Sequence, residues 1–81
     1  MPYISQEERR DLFAGGDILT AGQLNYQITV LVVEYLRTNK LNYQTINDIV
    51  GALEGAKAEF QRRVVNPYEK DKIETNGDVY E

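Results

Sequence analysis

The phrase Leu24-Asn25-Tyr26-Gln27 returns 17 residues later as Leu41-Asn42-Tyr43-Gln44, and an amphipathic run follows each copy. An Asn side chain accepts a hydrogen bond from a free amide at a helix start, and the apolar residue before it fixes the entry of the chain. Each copy therefore reads as a helix start, with Asn25 and Asn42 as the N-caps. Two helices begun by one device leave little of an 81-residue chain for anything but a mainly α fold. The first should cover 26–38 and close at Asn39, a residue that tolerates left-handed backbone. The second should cover 43–65 and stop at Asn66-Pro67, because proline disfavours helical geometry in the residue before it and donates no hydrogen bond. The β-branched residues of 28–35 keep a strand reading open there.

A short helix should precede this pair. Ser5-Gln6-Glu7-Glu8 has the spacing of a reciprocal capping box, and Gly15-Gly16 interrupts the run after Ala14. Ile4, Leu12 and Phe13 give this segment something to bury, as a lid or brace. After Pro67 the pattern changes, and Asn76-Gly77 between short strand-like segments suits a two-residue hairpin turn. The expected architecture is a small three-helix domain over 1–68, a short N-terminal helix plus a helical hairpin. An acidic C-terminal arm over 69–81 follows, either a short β-hairpin or disordered.

Two stripes bear on assembly. Ile46, Ile49, Val50, Leu53, Phe60 and Val64 keep helical spacing, with Ala56 and Lys57 between them, while Val30 and Val33 form a second apolar edge on the preceding helix. Gly51, Ala52, Gly55, Ala56 and Ala58 form a run of small residues, which either accommodates the side chains of the preceding helix or permits a second subunit to approach. The long helix would extend roughly 34 Å against roughly 20 Å for its predecessor, so its excess length needs another partner. Apolar burial worth on the order of 120 kcal/mol is matched by a similar cost of ordering the chain. Self-association through Val30, Val33, Gly51 and Gly55 is thus the expectation.

Composition removes several function classes. With no Cys and no His there is no disulfide framework, thiolate or imidazole metal site, cysteine nucleophile or Ser-His-Asp triad. The opening MPYISQEERR lacks a cationic region followed by an apolar one, and the dense apolar run 28–36 is far short of the roughly 20 residues that span a bilayer. A cytoplasmic location, without membrane insertion, is expected. Residues 1–68 hold seven basic and eight acidic side chains, and 69–81 hold two and five, so the body is near neutral and the tail acidic. The basic cluster, Arg62 and Arg63 with Arg9, Arg10, Lys57 or Arg37 as candidates to join it, is too small for general nucleic-acid binding.

Catalysis finds no support in the spacing. Asp48, Glu54 and Glu59 lie six and five residues apart, not in the repeated array of a carboxylate metal bundle, and Glu59 is placed to pair with Arg62 or Arg63. No phosphate-loop, dinucleotide-binding or EF-hand pattern is present. No metal, no cofactor and no catalytic residue are expected. Six tyrosines and no Trp offer stacking faces with hydroxyls. Together with Arg62, Arg63 and Asn42 or Asn47 they could line a pocket for a nucleotide-like anion.

The motifs Leu24-Asn25-Tyr26, Leu41-Asn42-Tyr43-Gln44, Ala56-Lys57-x-Glu59-Phe60-x-Arg62-Arg63, Pro67-Tyr68-Glu69 and Asn76-Gly77-Asp78-Val79-Tyr80 together resemble a family of small uncharacterised proteins of bacteria and their phages. The likeness covers nearly the whole chain. It implies no activity, and points only to a phage or mobile-element setting in a bacterial host. The leading expectation is a non-enzymatic helical homo-oligomer acting as a binding module, a phage accessory or host-interaction protein. Its candidate partner-binding or ligand-binding residues are Asn47, Asp48, Arg62, Arg63 and Tyr68. The alternatives are a sponge that sequesters a small anionic nucleotide-like signal without turnover, and a purely structural subunit.

Overall fold

A computed structural model describes residues 2–80, which are helical with short connections and without a strand. The chain divides into two compact units, Met1–Thr45 and Ile46–Glu81.

In the first unit, α1 (Gln6–Phe13) opens with the expected capping box. Ser5 Oγ accepts from the Glu8 amide at 3.1 Å, and the Ser5 amide donates to Glu8 Oε1 at 3.2 Å. The two glycines end the helix by different means. Gly15 takes a φ of +94°, and a Cβ on Gly16 would stand 2.8 Å from the Asp11 carbonyl oxygen. Leu12 is the one buried apolar side chain among the described residues, whereas Phe13, expected to be buried, is 96% exposed. Neighbouring side chains on a helix are turned by about 100°, so a short helix resting on one neighbour covers one of the two and not the other.

Helix α2 (Ala21–Asn39) begins five residues before the expected Tyr26. Thr20 is its N-cap, accepting from the Gln23 amide at 3.1 Å, and Gln23 Oε1 accepts from the Leu19 amide at 2.8 Å. Thr20-Ala21-Gly22-Gln23 is thus a capping sequence in its own right. Asn25 lies inside the helix, where its carbonyl accepts from Thr29 Oγ1 at 2.8 Å. The closing residue also differs from expectation. Asn39 stays helical and its Nδ2 donates to the Tyr35 carbonyl at 3.0 Å, while Lys40 takes the positive φ, 66° with ψ 159°.

The second Asn start is where it was expected. Helix α3 (Tyr43–Phe60) follows Asn42, whose Oδ1 accepts from the Thr45 amide at 2.9 Å. Thr45 is 3% exposed and also donates from Oγ1 to the Asn39 carbonyl at 3.3 Å, which ties the connection 40–42 together.

The helix does not stop at Pro67. A π-helical turn, Gln61–Val65, leads directly into α4 (Asn66–Asn76). Proline lacks an amide and its ring collides with the carbonyl four residues back, and one extra residue in the turn relieves both problems. The expected boundary between 68 and 69 falls inside α4. The β-hairpin is absent as well. Gly77, with φ 88°, caps α4 through its amide to the Ile73 carbonyl at 2.8 Å. A hairpin turn of the expected kind needs positive φ at both Asn76 and Gly77, and Asn76 is helical. The left-handed freedom of the glycine is used to end a helix instead.

Candidate interaction surface

Arg62 and Arg63 meet one carboxylate at the π-turn. Arg62 Nη2 lies 2.7 and 3.0 Å from the two oxygens of Glu59, and Arg63 Nε lies 3.1 Å from Oε1. The spacings i+3 and i+4 put all three on neighbouring turns. Each side chain remains more than half exposed, so the pairs contribute at most about 1 kcal/mol to folding. What they do is bring two guanidinium groups to one carboxylate beside a turn that is already irregular.

Tyr68 follows on α4, with its ring exposed and Lys72 Nζ 5.5 Å from the ring centre. Asn47 and Asp48 sit near the start of α3, and Asp48 has a polar partner of its own. Asp48 precedes Arg62 by 14 residues along a continuous helix, a distance of roughly 21 Å. The five candidate binding residues therefore form two separate groups within one chain: Arg62, Arg63 and Tyr68 together, and Asn47 and Asp48 apart from them.

The candidate self-association residues divide too. At about 100° per residue, Ile46, Ile49, Val50, Leu53, Ala56 and Phe60 fall on one side of α3 and Gly51 and Gly55 on the other. Nothing stands within 4 Å of where a Cβ on either glycine would be. On α2, Val30 is half-buried and Val33 is 37% exposed.

A cavity of about 500 Å³ opens in the first unit, lined by Glu8, Asp11, Leu12, Ala14, Gly15, Gly16, Asp17, Leu19 and Gln23. Three carboxylates and no cation line it, the wrong sign for an anionic ligand. Gln23 Nε2 donates to Glu8 Oε2 at 2.9 Å across its wall. That bond, followed by those from Ser5, holds the Glu8 carboxyl below its ordinary value of 4.5. Arg9 is turned elsewhere, with Nε on the Ile4 carbonyl at 3.2 Å and its guanidinium 5.5 Å from the Tyr26 ring centre. Tyr3, Tyr26, Tyr35 and Tyr43 belong to the first unit and Tyr68 and Tyr80 to the second, so neither unit holds the full set. Gln23, which joins α1 to α2, was missed by sequence reasoning, although its place three residues after Thr20 was the available signal.

Among the described residues no cluster of three acidic side chains could hold a metal ion, and no helix is long and apolar enough to cross a membrane. Neither the curated proteins nor the solved structures contain a match to this chain. The family model described as a domain of unknown function (DUF6899) matches residues 1–79, and the chain belongs to that family.

Proposed function

We propose that this chain is a non-enzymatic binding module that works as a homo-oligomer, in a bacterial cytoplasm and in a phage or mobile-element setting, by holding a host protein. One observation carries the reading. The second unit is helical as far as Asn76, and among its described residues the large apolar side chains are all exposed by two-fifths or more, apart from the half-buried Ile49 and Val65. A helix gains most of its stability by packing its apolar face, and this unit provides nothing to pack against. Arg62 and Arg63, paired with Glu59 in the turn before the exposed Tyr68 ring, supply the polar part of a contact. Arginine and tyrosine are the residues on which protein interfaces most often depend.

The test is native mass spectrometry of protein taken gently from a bacterial host, followed by capture with the Arg62→Gln, Arg63→Gln variant. The expected result is an oligomer that retains a host protein in fixed ratio. The variant should lose that protein while keeping its helix content. Undiminished capture would remove the arginines from the interface. A reproducible small-molecule mass in place of a protein would turn the assignment to the sponge reading.

A further inference from the structure

We propose that the apolar stripe of residues 46–68 is the contact through which two copies of this chain pair, with their long helices antiparallel. The inference deepens the oligomeric part of the proposed function and rests on it. Ile46, Val50, Leu53, Phe60, Val64 and Tyr68 are between 42% and 62% exposed, and the second unit has no further element to cover them. Side chains of this size leave roughly 600 Å² of surface per copy and about 1,200 Å² for a pair, the lower end of the range for specific interfaces. Contiguous patches above a few hundred Å² on soluble proteins generally mark a contact.

The π-turn keeps the stripe continuous. A π-turn takes between four and five residues to close, so Val64 and Val65 fall on either side of the line through Phe60, with Tyr68 one turn further. Val65 is half-buried, unlike its neighbours in that turn. Without the extra residue the proline would have broken the helix or sent Tyr68 around it. After Tyr68 the pattern ends, because α4 shows no amphipathic bias and continues with Glu69, Lys70, Asp71 and Lys72. The stripe therefore has a defined length.

Charge sets the direction of pairing. Residues 46–56 carry Asp48 and Glu54 and no base, a net of −2. Residues 57–68 carry Lys57, Arg62 and Arg63 against Glu59, a net of +2. Parallel helices would set like halves together, whereas antiparallel helices with their midpoint near Lys57 set each acidic half along a basic one. Ile46 then meets Tyr68 of the second copy, and Val50 meets its Val64. Opposed helix dipoles favour the same arrangement.

The chain has no cysteine, so introduced ones report only this contact. Val50→Cys protein mixed with Val64→Cys protein under mild oxidation should give a mixed disulfide dimer, and Val50→Cys alone should give little. Sedimentation should show a dimer whose dissociation constant rises at least about 100-fold in Phe60→Asp. Leu53→Gln, which retains helix propensity, should weaken the dimer as well and guards against loss of fold in the first variant. A monomer at every concentration, including one in which α2 of the same chain shields Phe60 from solvent, overturns the inference. So does efficient crosslinking of Val50→Cys to itself. A monomer that still captured the host protein would overturn the pairing while leaving the binding role standing. A crosslinked antiparallel dimer that captured nothing would sustain the pairing and remove the binding role.

Discussion

The amide of Asn66 donates to the carbonyl of Gln61, five residues back, at the position where Pro67 would otherwise end the helix. Pro67→Ala removes the reason for this bond, since alanine restores an amide and has no ring to collide with the carbonyl four residues earlier. The π-turn should collapse to an ordinary α-helical turn and the helix should gain up to about 3 kcal/mol. Tyr68 would at the same time rotate by about 100° away from the line of Phe60. Thermal melting by circular dichroism should therefore show a more stable helix, and sedimentation a weaker dimer. A variant unchanged in both respects would show that the turn does not depend on the proline.

The two Asn starts should respond differently to the same change. Asn42 accepts the Thr45 amide and lies outside α3, so Asn42→Ala should cost about 1 kcal/mol, within the usual range for a lost N-cap. Asn25 is interior to α2, where alanine is the better helix former, so Asn25→Ala should be neutral or stabilising by a few tenths of a kcal/mol. Urea denaturation of the two variants side by side checks this. Equal losses would mean that Asn25 begins a helix after all.

That contrast explains how far the sequence was legible. Caps whose two partners are both local, Ser5 with Glu8 and Asn42 with Thr45, were readable because the whole interaction lies within four residues. The i+3 and i+4 pairs from Glu59 to Arg62 and Arg63 were readable for the same reason. Asn25, Pro67 and Asn76-Gly77 were misread because each residue type has two uses. An Asn can cap a helix or ride inside one, a proline can stop a helix or be passed by a π-turn, and a left-handed glycine can make a hairpin or a helix end. Thr20-Ala21-Gly22-Gln23 settled the first of these, and the repeated phrase drew the reading past it. The separation of Asn47 and Asp48 from the arginines was legible too, because 14 residues of the expected helix over 43–65 already put Asp48 roughly 21 Å from Arg62.

Lys40 holds a φ of 66° with a ψ of 159° in the connection after α2, a region of backbone almost reserved for glycine. Its amide is fixed to the Leu36 carbonyl at 2.7 Å, and the next turn is fixed by Asn42 and Thr45, so the strain cannot relax locally. Lys40→Gly should stabilise the chain by about 1 kcal/mol, the relieved strain less the added entropy of the unfolded glycine. Lys40→Ala should not, because any Cβ meets the same restriction. A midpoint in urea that rises for glycine and stays level for alanine is the expected pair of results, and equal shifts would place the effect in the lost charge.

Glu8 gives the chain an acid-sensitive joint between α1 and α2. Its carboxyl lies below 4.5 because Gln23 and then Ser5 donate to the charged form. A carboxyl depressed on folding contributes stability that is present above its unfolded value and lost as pH falls through the folded one. The α1 to α2 contact should therefore be intact at neutral pH and loosen below about 4.5. Removing the strongest donor with Gln23→Ala should move the Glu8 titration back up toward 4.5, as followed by carboxyl NMR shifts. Glu8→Gln should abolish this part of the acid response and leave the helix content of α3 and α4 unchanged, because the change lies wholly in the first unit. A Glu8 titration that stayed put in Gln23→Ala would show that the bond between the two helices does not hold the carboxylate.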